Sequence, residues 1–165
     1  MEFLKLRVFF LVVLSLLLCT GCGPHQVKSQ PPFVSIAALA ISGQALSARF
    51  DIRNINDVAM TIDAIDLEIR STEVELTSLA QALKLTIDPN TTEEVAIDNL
   101  PGEQAGPLLA ELESGSMANL AFSLEGRIHT LEDGYLPFRH EGYLYPVPGK
   151  PGQFRSASSR SREQR

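Results

Sequence analysis

Residues Ala45–Arg70 read ALSARFDIRNINDVAMTIDAIDLEIR, and the two patterned halves of this stretch decide the fold. In the first half, apolar residues at positions 46, 48, 50 and 52 alternate with polar or charged residues. In the second half, isoleucine or leucine at positions 65, 67 and 69 alternates with charged residues. A period of two places one set of side chains on each face of a strand. The stretch therefore predicts a two-stranded ribbon with one buried face and one hydrated face.

The second strand of this ribbon changes its apolar register part of the way along. Met60 and Ile62 occupy even positions, whereas the later apolar residues occupy odd positions. One extra residue in a strand restores the facing of both sets. We therefore predict a β-bulge near Asp63-Ala64.

The rest of the chain predicts more short strands and one helix. Strand patterns cover residues 33–41, 74–76, 83–87 and 95–97, and a hairpin spans 118–145 with its turn at Asp133-Gly134. Pro137 favours an edge or an end position in the second strand of that hairpin. Residues 104–113 show the only helical pattern. The predicted fold class is mainly β, a two-sheet antiparallel β-sandwich with one short helix.

The charge of the chain divides into an acidic body and a basic end. Residues 33–145 contain six basic and eighteen acidic residues, a balance of −12, whereas residues 146–165 have a balance of +4. An acidic body argues against nucleic-acid binding, which needs a cationic surface. The only cysteines are Cys19 and Cys22, so the body has no disulfide framework and no cysteine-based metal site.

The N-terminus has the pattern of a signal peptide. Lys5 and Arg7 precede an almost wholly apolar run at residues 8–18, which as a helix would be about 16 Å long, too short to cross a bilayer. The run ends in Leu18-Cys19-Thr20-Gly21-Cys22, which resembles a bacterial lipoprotein signal. The resemblance implies cleavage before Cys22 and acylation of this residue as the lipid anchor. Cys19 is a competing position, although a small residue is expected where Leu18 stands, and an ordinary secretory signal that leaves a free thiol is the alternative.

These patterns divide the chain into four segments. Residues 1–21 are predicted to be the signal peptide, 22–32 a polar tether, 33–145 the β-domain, and 146–165 a disordered basic tail. Gly23 after the anchor residue resembles signals for the outer membrane in enteric-type envelopes. The expected location is the cell envelope, with the protein lipid-anchored in the outer membrane and facing the periplasm.

Three motifs carry a resemblance to a known family. They are PFVSIAALAI at residues 32–41, RFDIRNIN at 49–56, and the pair FSLEGRI at 122–128 with LPFRHEG at 136–142. Over residues 32–148 the chain resembles the late embryogenesis abundant (LEA) type 2 family, also called the WHy (water stress and hypersensitive response) domain. The resemblance implies a fibronectin- or immunoglobulin-like β-sandwich linked to desiccation and stress, with no catalytic residues. The family has proline where this chain has Ile55, so Asn54 and Asn56 are expected to close the turn.

Residues that could support catalysis or metal binding are few. Asp63, Asp66 and Glu68 are close in sequence, but the strand period directs Asp66 and Glu68 outward, which favours a solvated face over an acid/base pair. His129 and His140 lie in the last hairpin, where a metal site would need a third ligand. Tyr135, Tyr143 and Tyr145 are interpreted as packing residues of the hairpin. No catalytic, metal or cofactor-binding residue is predicted, and the protein is expected not to be an enzyme.

Two functions are compatible with the sequence. The first is a non-enzymatic LEA type 2-like lipoprotein that protects the cell envelope under desiccation or osmotic stress. The alternative is an envelope adaptor that binds a protein partner through an edge strand of the sandwich. An enzyme or small-ligand role would require a pocket lined by convergent polar groups. The expected contacts are therefore the membrane, through the N-terminal lipid, and an envelope protein.

Overall fold

The computed structural model describes residues 29–99 and 101–158. The predicted signal peptide, Cys22 and most of the predicted tether lie outside the described residues. Eight strands and one helix follow in chain order: β1 Phe33–Ser42, β2 Ala45–Arg53, β3 Met60–Ser71, β4 Val74–Ile87, β5 Thr92–Asn99, α1 Ala105–Glu113, β6 Leu120–Thr130, β7 Gly134–Pro146 and β8 Gln153–Ser158.

All eight strands form one antiparallel sheet in the order β4-β3-β6-β7-β8-β1-β2-β5. The sheet folds back on itself, so that its two edge strands, β4 and β5, meet. Asn99 Nδ2 of β5 links them by donating to Thr77 Oγ1 and to the carbonyl of Ser78 in β4. The layers of the predicted sandwich are thus joined into a nearly closed sheet. The prediction of a mainly antiparallel β fold with one short helix is confirmed.

The ribbon of β2 and β3 contributes to the core as its alternation predicts. Phe50 and Ile52 of β2 are fully buried, and β3 buries Ile62 and then Ile65. The pairing of β3 with both neighbours shifts between Ile62 and Ala64. The bulge predicted near Asp63-Ala64 is therefore present, and it turns both halves of β3 toward one core.

The strands β6 and β7 are joined by two reciprocal phenylalanine–glycine pairs. Phe122 lies opposite Gly142, and Gly126 lies opposite Phe138. A Cβ atom at Gly142 would come within 2.9 Å of the Phe122 ring, and one at Gly126 within 2.8 Å of the Phe138 ring. Each ring fills the space above the glycine on the other strand. The two hairpin motifs are thus one packing arrangement, which requires glycine at both positions.

The edge strand β4 is longer than the sequence pattern indicates. The segments predicted at 74–76 and 83–87 belong to one strand of 14 residues. Its alternation is broken where Lys84 has a left-handed backbone (φ 53°) opposite the bulge of β3. The side chains of β4 change facing at this point, so the period-two pattern indicates two short strands where the structure has one.

The helix α1 lies where the sequence places it. Its buried residues are Ala105, Leu109 and Leu112, and it contacts β4 and β7. The Ser114 N–H donates to the carbonyl of Ala110 at the C-terminus. The helix thus uses these three residues to cover part of the core.

The predicted boundary at residue 145 and the predicted disorder of the tail are wrong for Gln153–Ser158, which forms β8. This strand pairs with β1 and with β7, and Phe154 is 1% exposed. A central strand receives backbone hydrogen bonds on both sides, so one apolar anchor is enough despite the polar composition. Residues 159–165 lie outside the described residues.

Candidate functional site

The chain enters the domain at one end of the sheet. The Ser29 N–H donates to Asp133 Oδ2 (3.3 Å), and Gln30 exchanges two hydrogen bonds with the Asn56 side chain (2.8 and 3.0 Å). These contacts join the entering segment to the β2–β3 and β6–β7 connections. We call this the tether end, defined by residues 29–33, 54–59, 88–91 and 131–133. The predicted anchor, Cys22, lies outside the described residues, seven positions before Ser29.

Asn54 holds the tether end together. Its side chain is fully buried, and Nδ2 faces the carbonyls of Val58, Ile87 and Asp88 at 2.8, 3.1 and 3.2 Å. Its Oδ1 accepts from the N–H and from Nδ2 of Asn56, each at 3.0 Å. The two asparagines therefore close the turn, as the sequence predicts.

Large apolar side chains are exposed at the tether end. Val58 is 60% exposed, Leu131 64% and Ile55 40%. Carboxylates at the same end accept local hydrogen bonds: Glu132 accepts from the Thr61 N–H, and Asp133 accepts from the Ser29 N–H. The end that receives the tether thus combines apolar tips with carboxylates bound to the backbone.

The outer face of β3, β6 and β7 carries paired charges. Asp66 binds Arg127 at 2.8 Å, and Glu68 binds Arg70 at 2.7 Å. Arg139 contacts Glu125 at 3.3 Å and Glu141 at 2.8 Å. Hydrogen bonding to Glu68 raises the pKa of Arg70, and hydrogen bonding to Glu141 raises that of Arg139. The outward direction predicted for Asp66 and Glu68 is confirmed, and we call this surface the charged face.

The two histidines of the hairpin lie on opposite sides of the sheet. His129 Nδ1 is 3.4 Å from Asp63 Oδ2 on the outer face, and its ring packs 4.8 Å from that of Tyr135. His140 is 8% exposed on the inner face, with its ring 5.2 Å from Phe33 and 6.0 Å from Phe122. The structure therefore does not bring them together, because their positions in the paired strands have opposite facing.

Burial lowers the pKa of His140, and Glu141 opposes this shift in part. Among residues 29–99 and 101–158, no group of three His, Cys, Asp or Glu side chains could hold a metal ion. No helix in the same part of the chain is long and apolar enough to cross a membrane. The described residues thus offer surfaces and shallow clefts rather than an assembled group of reactive side chains.

Comparison with known proteins identifies the fold and not the activity. No protein-family model matches the chain, and no curated protein matches it. A solution structure of AT1g01470 from Arabidopsis thaliana aligns with a TM-score of 0.56 over 80% of this chain and 93% of that chain, with 11% sequence identity. At this identity the similarity shows a shared fold.

Two more distant structures are also similar. A protein from Archaeoglobus fulgidus aligns with a TM-score of 0.41 and 12% identity over 69% of this chain and 95% of that chain. A putative LEA protein, At2g46140.1, aligns with a TM-score of 0.44 and 11% identity over 68% of this chain and 69% of that chain. The structural neighbours thus include a protein described with the family name that the sequence motifs suggest, at a TM-score too low to add to the fold assignment.

Proposed function

We propose that this protein is a non-enzymatic, membrane-anchored lipoprotein whose LEA type 2-like domain protects the bacterial cell envelope during desiccation or osmotic stress. The observation that supports it best is the tether end. Cys22 precedes Ser29 by seven residues, which span at most about 25 Å when extended. An acylated Cys22 would therefore keep the tether end near the bilayer.

The exposed side chains of the tether end suit that position. Val58 and Leu131 would lie at the level of the lipid headgroups, where apolar side chains gain from partial burial. The paired charges of the charged face lie along the sheet and stay in water. The protein would thus present a hydrated, stable surface beside the membrane, and in our proposal this surface replaces lost water around envelope components.

The anchor is tested by Cys22→Ala in the full chain. The variant should leave the membrane fraction, because removal of the acyl chains removes the main membrane contact. Cys19→Ala is the matched control and should remain bound. The anchor proposal is wrong if Cys22→Ala still sediments with membranes at high salt.

Protection is tested separately on liposomes and on a reporter enzyme dried with the purified protein. Less dye leakage and more enzyme activity after rehydration than with equal masses of albumin would support the proposal. Protection no greater than that of albumin would reject the protective role and leave the anchor intact.

The edge strand β4 supports the adaptor role as a second candidate. Beyond Ser78, which Asn99 covers, its outer edge pairs with no strand among the described residues. A partner strand could add there. Cross-linking in membranes should then capture one stoichiometric protein, and Ala80→Asp with Ala82→Asp should abolish capture while Ala157→Asp does not. Capture that is equal in all three proteins would rule out this edge.

A further inference from the structure

A cationic cleft lies on the outer face of the other half of the sheet. Its volume is about 410 Å³, within the usual range for small-ligand sites. The described residues that line it include three cations and no carboxylate. The cations are Arg49 of β2, Lys150 of the β7–β8 turn and Arg155 of β8. We call this the cationic cleft.

The strand register explains why the two arginines face one space. Ala38 of β1 lies opposite Arg49 on one side and opposite Arg155 on the other. The two arginine Cα atoms are thus separated by two strand spacings, roughly 10 Å. The methyl side chain of Ala38 leaves the space between them open. Two guanidinium groups can therefore approach one small ligand from opposite sides.

Local contacts restrict Arg155 and the turn that carries Lys150. The Arg155 guanidinium lies 5.7 Å from the centre of the Tyr145 ring, which restricts the side chain without neutralising it. Lys150 lies in a turn closed by hydrogen bonds from its N–H to the Val147 carbonyl (3.1 Å) and from the Gln153 N–H to its own carbonyl (3.2 Å). The Arg155 side chain and the backbone of Lys150 are thus held in place before a ligand arrives.

The three cations of the cationic cleft converge within a mainly acidic domain. Residues 29–99 and 101–158 contain eight Lys and Arg against eighteen Asp and Glu. Arg70, Arg127 and Arg139 form ion pairs with carboxylates at 3.3 Å or less. The ion pair between Arg49 and exposed Glu94 is longer, at 3.7 Å. In such a long, exposed ion pair, another anion easily replaces the Glu94 carboxylate at Arg49. Lys150 and Arg155 take part in none of the ion pairs among the described residues.

We propose that the cationic cleft binds a small anion that carries a phosphate group. Paired guanidinium groups match phosphate oxygens in geometry and charge, and Lys150 adds a point charge. A long polyanion is disfavoured because the described residues carry ten more acidic than basic side chains. The phosphate could belong to a lipid headgroup or to a soluble phosphomonoester. The proposal is independent of the anchor and of stress protection.

The experiment measures binding of glycerol 3-phosphate and inorganic phosphate to the purified full-length protein by calorimetry, at constant ionic strength set with chloride. The double variant Arg49→Gln/Arg155→Gln should bind at least about tenfold more weakly, since each arginine supplies charge-assisted hydrogen bonds. Arg127→Gln/Arg139→Gln is the control, because it removes the same charge from the charged face. Circular dichroism verifies that both variants are folded.

Vesicles distinguish the source of the phosphate. The same proteins, each with Cys22→Ala, are floated with phosphatidylglycerol vesicles and with phosphatidylcholine vesicles. Loss of either soluble-phosphate or phosphatidylglycerol binding in the cleft variant alone supports the site and identifies the source. Equal weakening in the control variant, or no binding to any probe by the wild-type protein, would overturn the proposal.

Discussion

The turn at Asn54 allows the sharpest test of how this fold is closed. Asn54→Ala would remove a fully buried amide whose Nδ2 faces three carbonyls and whose Oδ1 accepts two hydrogen bonds. The carbonyls of exposed Val58 and Asp88 can turn to water, but the buried carbonyl of Ile87 loses this donor without replacement. A buried group without its partner costs about 1–3 kcal/mol, and each other bond contributes about 1 kcal/mol.

The expected loss in the free energy of unfolding is therefore about 3 kcal/mol. For a chain of this size, that lowers Tm by roughly 6–12 °C. Urea titration followed by circular dichroism at pH 7 measures the change. Asn54→Asp is the isosteric probe, because it keeps an acceptor for Asn56 and directs a carboxylate oxygen at the three carbonyls. We expect it to be at least as destabilising as alanine.

The matched control is Asn119→Ala, at an exposed position in the loop before β6. It should change the free energy of unfolding by less than about 0.5 kcal/mol. If Asn54→Ala and Asn119→Ala gave equal urea midpoints, the argument that the Asn54 side chain closes this turn would be refuted.

Three further tests address other parts of the structure. Gly126→Ala should destabilise by about 1–3 kcal/mol because its methyl group would meet the Asp66 carbonyl oxygen and the Phe138 ring. Gly106→Ala in α1, where a Cβ atom has nothing within 4 Å, should stabilise by up to about 1 kcal/mol, and equal urea midpoints would contradict the glycine packing. Burial lowers the pKa of His140 from 6.5, so the contribution of neutral His140 to stability is complete above that pH and is lost as the pH falls toward the folded-state pKa. His140→Leu should therefore flatten the dependence of the urea midpoint on pH below 6.5. An unchanged dependence would refute this role of His140. Phe154→Ala should cost about 3–5 kcal/mol by thermal denaturation, and a cost below about 1 kcal/mol would contradict the place of β8 in the core.

The strands of the ribbon were predictable because their signal is local. The alternation at positions 46–52 needs only the pleat of one strand, and it locates the buried face of β2 without knowledge of its neighbours. The bulge of β3 was predictable from the same rule, since one extra residue in the strand restores the facing after a change of apolar register. The solvated character of Asp66 and Glu68 was predictable for the same reason.

The charged groups of the candidate sites were only partly predictable. The sequence indicates which residues point outward, but not which strands lie side by side. The meeting of Arg49 and Arg155 depends on β1 lying between β2 and β8, and these two residues are 106 positions apart in the chain. The strand order that joins them could not be inferred from spacing.

The sequence alone determined which faces are buried, where the main turns fall, that one short helix interrupts a mainly β chain, and that Asn54 and Asn56 close the first ribbon. The tertiary structure decided the recruitment of β8, the continuity of β4, the separation of His129 from His140, and the convergence of three cations in one cleft. The division has a physical cause. Facing depends on the period of a single strand, whereas strand order depends on backbone hydrogen bonds and packing between distant segments, such as the bond from Ser156 Oγ to the carbonyl of Ile36, 120 residues away.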